Sequence, residues 1–259
     1  MSKLKSSIDM ESVSLRFRSY GTSQNGKGPK LLRRILRNQY SRSEERWIFR
    51  DLTVHITNGE RIGIVGRNGA GKSTLLKLIA GVYPPTHGRI RVVGRTSPLI
   101  GLGAGMQPEL SGVENVILMG TMMAIPVDEM TRRLNPIIEF AGLAAYANMP
   151  VKYYSSGMRQ RLAFATATEI APDILLSDEV FAGGDGEFKQ RAEKRISDAI
   201  DQSNIFIFVS HSTNLLHTIT QRTLWIEAGR IVGDGPTKTI CGQYTDFLKQ
   251  IKNGSVPRK

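Results

Sequence analysis

Residues Gly66-Arg67-Asn68-Gly69-Ala70-Gly71-Lys72-Ser73 match the pattern G-x-x-x-x-G-K-S. They follow an apolar run, Arg61-Ile62-Gly63-Ile64-Val65, and lead straight into Thr74-Leu75-Leu76-Lys77-Leu78-Ile79-Ala80, closed by Gly81. Strand, glycine loop and helix is the context in which this motif holds a nucleoside triphosphate. The glycines let backbone N–H groups curl around phosphate oxygens without Cβ clashes. The N-terminus of the new helix adds a positive potential. Lys72 is placed to reach the β- and γ-phosphates, and the Ser73 hydroxyl to ligate Mg²⁺. Gly66, Asn68, Gly69, Ala70, Gly71 and Thr74 form the rest of the expected cradle for ATP. A glycine-rich turn that binds nothing needs neither the lysine, the serine nor the flanking strand and helix.

A chain of 259 residues can bury one large core, or one domain plus a subdomain. Hydrophobic residues are 40% and charged residues 22%, the balance of an ordinary globular protein. No apolar run is long enough for a membrane-spanning helix. Met1 to Asp9 has no apolar stretch, so no secretory leader is expected. The single cysteine, Cys241, excludes an internal disulfide and fits a reducing compartment. The net charge is +12 and uneven: residues 1–50 hold twelve Lys/Arg against four acids. Such a patch suits a polyanion, either nucleic acid or an anionic membrane face, and equally a solvated surface. Composition alone does not choose among them.

Along the chain, Ile8 to Tyr20 alternates like a strand. Residues 21–46 turn polar, glycine-rich and basic, and read as an insertion between two strands, with Leu31 to Arg37 patterned as a short basic amphipathic helix. Apolar alternation resumes at Trp47-Ile48-Phe49 and Leu52 to Ile56, and again at Gly88 to Val93. Glycines and prolines then cluster to Gly112. Val113 to Leu143 is helical in pattern, with interruptions expected at Pro126 and Pro136. A second helix is predicted from Ser156 to Ile170, and a third around Ile196 to Ile200. Asp173 to Glu179 and Ile205 to Val209 read as buried strands, and Thr223–Ile226 with Arg230–Val232 as a hairpin around Gly229. A helix is expected from Ile240 to Ile251. Strands alternating with helices predict a mostly parallel sheet covered on both faces. Ligands bind such sheets at the carboxyl ends of the strands, where the phosphate loop and the acids lie.

Asp178 and Glu179 close the strand Ile174-Leu175-Leu176-Ser177. An aspartate there can hold Mg²⁺ beside Ser73. Glu179 points elsewhere, because side chains alternate on a strand, and is placed to polarise a water for attack on the γ-phosphate. Upstream, Tyr154-Ser155-Ser156-Gly157-Met158-Arg159-Gln160-Arg161 puts hydroxyl and amide donors at a helix start. With the rest, it resembles the signature motif of ATP-binding-cassette ATPases, which lies just upstream of the acidic strand as here. Further members follow. Gln107, in Gly105-Met106-Gln107-Pro108, resembles the glutamine that links the Mg²⁺ site to the membrane partner. Asp185 resembles the aspartate of the loop crossing the dimer interface, and His211 the switch histidine at the γ-phosphate. Phe17 is the first choice for the aromatic that stacks on adenine, with Tyr20 second.

The resemblance covers roughly residues 8–235. It implies a single α/β ATPase domain with a mixed-sheet core, a helical subdomain inserted at about 98–170, and a C-terminal helix and tail over 236–259. Ser156 and Met158 depart from the usual Leu-Ser-Gly-Gly-Gln, and Gly183-Gly184 replaces a small residue and leucine, which loosens the interface loop. These departures, with Gly103 to Asn115 and Asp178-Glu179-Val180, are similar to the ATP-binding subunits that export surface polysaccharides: capsule, O-antigen or teichoic acid. Some O-antigen members carry a further carbohydrate-binding domain, which is not expected here. The implied assembly is a homodimer with two copies of a membrane permease, at the cytoplasmic face of the cell membrane, with no nucleic-acid partner. ATP held by Lys72, Ser73 and Asp178 of one copy would be closed over by Ser155, Ser156 and Gly157 of the other. An importer subunit and a nucleic-acid-associated ATPase of the same superfamily stay open as alternatives.

Overall fold

Three short runs set the architecture: Arg61–Val65 (β3), Ile174–Asp178 (β6) and Ile205–Val209 (β7). Nearly every residue in them is buried, as parallel strands covered on both faces require. The computed structural model describes residues 5–20, 43–99, 103, 105–178 and 186–253. Its six-stranded sheet adds Thr96–Leu99 (β5), Arg222–Glu227 (β8) and Arg230–Pro236 (β9), in the order β5-β6-β7-β3-β8-β9. All neighbours run parallel except β8 and β9, which form the expected hairpin. A separate antiparallel sheet, in the order β2-β1-β4, joins Ser43–Thr57 (β2), Ser7–Tyr20 (β1) and His87–Val93 (β4).

The period of two along each buried strand divides the core. Ile62, Ile64, Ile174, Leu176, Ile205 and Ile207 face one cluster, which also takes in Ile8, Val13 and Phe49 of the antiparallel sheet. The helix after the phosphate loop, Lys72–Ile79 (α1), contributes Leu75, Leu76, Leu78 and Ile79 to it. Val65, Leu175, Phe206 and Phe208 face the opposite cluster. There they meet helices Gly186–Gln202 (α5), Thr213–Ile219 (α6) and Thr237–Lys252 (α7) through Ala199, Leu216, Ile240 and Tyr244. Each fully buried Leu or Ile in these clusters contributes about 1.5–3 kcal/mol.

Helices Gly112–Met122 (α2), Val127–Ala141 (α3) and Ser156–Thr168 (α4) build a core of their own from Val116, Met130, Ile137, Leu143, Tyr154 and Leu162. A capping box starts α2: Ser111 accepts from the Glu114 N–H, and Glu114 accepts from the Ser111 N–H.

Four differences from the sequence reading have physical causes. Pro136 does not interrupt its helix but sits inside α3, where Met130, Ile137, Ile138 and Ala141 bury one continuous face. The interruption at Pro126 stands, as the residue before α3. The glycine–proline stretch contains β5, an edge strand on which Pro98 is tolerated because one side needs no ladder bond. Helix α6 has only seven residues, too few to show a period. Strand β2 starts at Ser43, so 43–46 belong to it and not to the basic insertion; 21–42 lie outside the described residues.

Candidate functional site

The loop from Gly66 to Gly71 has positive φ at three glycines, 66, 69 and 71, and at two of them a Cβ would also collide. Gly71, just before α1, has φ 103°, and a Cβ there would lie 2.7 Å from the Phe49 ring. At Gly66, φ is +153° and a Cβ would lie 2.2 Å from the carbonyl oxygen of Ile226. Gly69 differs: a Cβ there would meet nothing within 4 Å, so the loop faces open space at that point. Lys72 is buried, and its ammonium donates to the carbonyls of Gly66 at 2.8 Å and Arg67 at 3.1 Å. A buried ammonium needs such partners, since its desolvation is otherwise worth several kcal/mol.

Strand register brings the other groups to this loop. Asp178, the last residue of β6, pairs with Val209 of β7, and Val209 pairs with Ile64 of β3. Asp178 therefore stands level with the residue two before Gly66, and Ser210-His211 continue from Val209 at the same end. The result is a cleft of about 550 Å³ lined by Ile48, Asn68, Gly69, Gly71, Lys72, Ser73, Thr74, Asp178 and His211. It offers backbone donors, one ammonium, two hydroxyls and one carboxylate around an open space. That donor set fits a polyphosphate, and the hydroxyl and carboxylate oxygens fit a hard divalent cation such as Mg²⁺. A second cavity of about 680 Å³ shares Asn68, Gly69 and His211 and is also lined by Arg46, Arg67, Ala70, Glu227 and Tyr244.

Other expected site residues lie apart from this cleft. Phe17 is 39% exposed, with its ring edge on Tyr83 at a centroid distance of 5.2 Å. It pairs across the strands with Arg46 and so shares the face of Arg46, which lines the second cavity. Phe17 itself lines neither space. Tyr20 ends β1, and its side chain lies outside the described ones.

Gln107 is exposed and does not line the cleft. Its N–H donates to buried Asn115 Oδ1 at 2.8 Å. Asn115 Nδ2 donates to the carbonyls of Gln107, Leu110 and Ser111, which pins the whole turn. Ser155 is the N-cap of α4 and accepts from the Met158 N–H at 3.1 Å. Ser155 and Ser156 are exposed, and neither they nor Gly157 lines the cleft. Glu179 and Asp185 lie outside the described residues.

Ile48 and Arg46 are lining residues that the sequence reading missed. Their signal was present in the alternation Arg46-Trp47-Ile48-Phe49. Phe49 packs into the core against Gly71, while Ile48 reaches the cleft.

Two solved structures share the fold: an ATP-binding subunit of an ABC transporter, 20% identical with a TM-score of 0.65, covers 92% of this chain and 93% of its own. A dimeric, post-hydrolysis ATP-binding cassette bound to ADP and Pi, 19% identical with a TM-score of 0.63, covers 89% and 98%. The teichoic acids export ATP-binding protein of Levilactobacillus brevis is 37% identical over 213 residues, which is 82% of this chain and 59% of that protein. The O-antigen export system ATP-binding protein of Myxococcus xanthus is 39% identical over 77% of this chain and 46% of its own length. The corresponding protein of Yersinia enterocolitica is 42% identical over 70% of this chain and 76% of its own. The chain thus spans about half to three-quarters of the length of these curated relatives. The family model described as ABC transporter matches residues 49–182, from β2 across the phosphate loop and α4 to just past Asp178. By that match and by these identities, the chain belongs to the ABC transporter family.

Proposed function

We propose that this chain is the ATP-hydrolysing subunit of an exporter that moves a lipid-linked surface polysaccharide outward across the cytoplasmic membrane. The observation that carries the reading is the convergence of Lys72, Ser73, Thr74, Asp178 and His211 on one cleft, in a chain 36% to 42% identical to export ATP-binding proteins. Lys72 neutralises charge on the terminal phosphates, and backbone donors of the loop orient them. Ser73 and Asp178 are the residues that would hold Mg²⁺, which would supply charge neutralisation. Glu179 orients the attacking water. The water oxygen forms the new bond to the γ-phosphorus as its proton passes to the Glu179 carboxylate, while the bond to the bridging oxygen breaks and ADP leaves. His211 steadies the γ-phosphate, and Gln107 ties the site to the permease.

Two copies pair head to tail, so that Ser155, Ser156 and Gly157 of one close over the nucleotide of the other. The exposure of Ser155 and Ser156 at the N-terminus of α4 supports this arrangement. The membrane-crossing part belongs to a separate permease. Among the described residues no helix is long and apolar enough to cross a membrane. The cargo reading is tested by depleting the chain in its own host and fractionating the glycan. Accumulation of lipid-linked polysaccharide on the cytoplasmic side is expected. Unchanged surface polysaccharide, with uptake of a small solute lost instead, would replace export with import.

A further inference from the structure

Arg67 stands inside the phosphate loop, at a position where the motif accepts any residue. Its backbone and its side chain do different things. The carbonyl accepts from the Lys72 ammonium at 3.1 Å. The guanidinium leaves the loop and binds Glu227 at the end of β8, through Nε at 2.7 Å and Nη2 at 2.6 Å, both to Oε1. It also lies 5.9 Å from the ring centroid of Phe247 on α7. Trp225 packs against Phe247 at 5.1 Å and Tyr244 at 5.7 Å, which fixes α7 against β8. Glu227 Oε2 is buried and without a hydrogen-bond partner, so this carboxylate depends on Arg67 for its charge compensation. Burial, and then the charge of Glu227, push the Tyr244 phenol above its ordinary value. One unbroken chain of contacts therefore runs from α7 through the Arg67 side chain and backbone to the Lys72 ammonium.

We infer that Arg67 is a positioning residue through which the C-terminal helix α7 sets how the phosphate loop presents Lys72 to a nucleotide. The inference rests on the phosphate-loop reading of Lys72. A loop held from outside by a partly buried ion pair is preorganised, and part of its ordering is completed before the nucleotide arrives. Releasing the hold leaves the phosphate-binding groups in place but lets the loop sample other shapes. The loss then falls on nucleotide affinity and KM more than on kcat. Neither Phe247 nor Trp225 lines the cleft around Lys72 or the neighbouring cavity, so a change at Phe247 acts on the nucleotide through other residues, the Arg67 guanidinium among them, and not by direct contact.

The test measures the affinity of the full chain for a fluorescent ATP analogue, the ATPase kcat and KM, and the Tm. The variants are Arg67→Ala, Arg67→Lys, Glu227→Gln, Phe247→Ala and Phe247→Leu. Arg67→Ala is expected to weaken the analogue about tenfold and to raise KM in step, with kcat within about threefold of wild type. Phe247→Ala moves the same way by a smaller factor, and Arg67→Lys and Glu227→Gln recover part of the loss. If Phe247→Ala fails to fold, Phe247→Leu keeps the apolar bulk and removes only the ring face. Lower Tm with unchanged affinity and KM across the set would make the clamp merely structural and overturn the inference. Weakened binding by Arg67→Ala alone, with both Phe247 variants and Glu227→Gln silent, would also overturn it, by making Arg67 a direct nucleotide contact. Lys72→Ala serves as the control. If it binds the analogue normally, the phosphate-loop reading itself has failed. If it binds poorly while the Arg67 variants bind normally, only the present inference has failed.

Discussion

The phosphate loop and the signature helix both begin a helix with small polar residues, yet they end up in opposite situations. At α1 the loop is enclosed: Phe49, Ile226 and the Lys72 ammonium fix it from behind, and Asp178 and His211 complete its front. At α4 the helix start is open: Ser155 caps its own helix, Ser155 and Ser156 are exposed, and neither lines the cleft around Lys72. One end is a finished half of a site and the other is an unused half. On the proposed reading a single copy presents two unlike halves of a site, and Ser155, Ser156 and Gly157 do not line the cleft around Lys72. Under the two-copy arrangement proposed above, the catalytic unit is the pair, and the contrast orders the expected effects of mutation.

The largest effect is expected at Glu179. Glu179→Gln removes the water-orienting carboxylate and leaves Lys72, Ser73 and Asp178 intact. It should lower kcat by about 10²–10⁴-fold, the usual worth of a general base, while ATP affinity stays near wild type. Steady-state turnover and equilibrium ATP binding check this, and near-normal turnover would remove Glu179 from the role. Lys72→Ala attacks the finished half directly. It should weaken ATP about a hundredfold, the loss typical of truncating a buried hydrogen-bonded charge, and titration with labelled ATP reads it. Unchanged affinity would mean that the enclosed loop is not the binding half.

The smallest effect is expected at the opposite end of the sheet, at Glu60. Burial pushes this carboxyl up, but the Thr57 N–H and the Arg222 guanidinium outweigh it and hold the group below its ordinary value of 4.5. Since the folded value is the depressed one, the stabilisation is complete above the ordinary value and is lost as pH falls through the lower, folded value. Glu60→Gln should therefore reduce Tm slightly at neutral pH, flatten its fall in acid, and leave ATP affinity unchanged. A Tm profile against pH checks the first two points, and a change in affinity would show that the two ends of the sheet are not independent.

How much of this was legible in the sequence follows the same division. Lys72, Ser73, Asp178 and His211 were found because each sits at the end of a local apolar run that forms a buried strand or leads from one. Their convergence needs only that such strands lie parallel. Ile48 and Arg46 were missed because they reach the site by register. Strand β2 meets β1 with irregularities between Met10 and Arg16, and these decide which side chains turn toward the loop. The Arg67–Glu227 pair joins residues 160 positions apart, and no local pattern announces it. Pro136 misled for the reverse reason: a strong local rule was overridden by the apolar face of α3. Gln107 and Ser155 were readable only through family resemblance, since nothing in one copy brings them to the cleft.

On the proposed reading a competent site takes its phosphate loop from one copy and the N-terminus of α4 from the other. Ser155→Asp tests this well, because aspartate still caps α4 but sets a negative charge against the partner's phosphates. Homodimers of Ser155→Asp and of Lys72→Ala should each be inactive, with the Ser155→Asp chain keeping wild-type Tm and single-copy nucleotide affinity. Mixed dimers of the two contain one site with both halves intact. Purified through separate tags, they should recover about half of the wild-type ATPase rate if the two sites turn over independently. Mixed dimers that form, bind ATP and stay at the homodimer background would contradict the account.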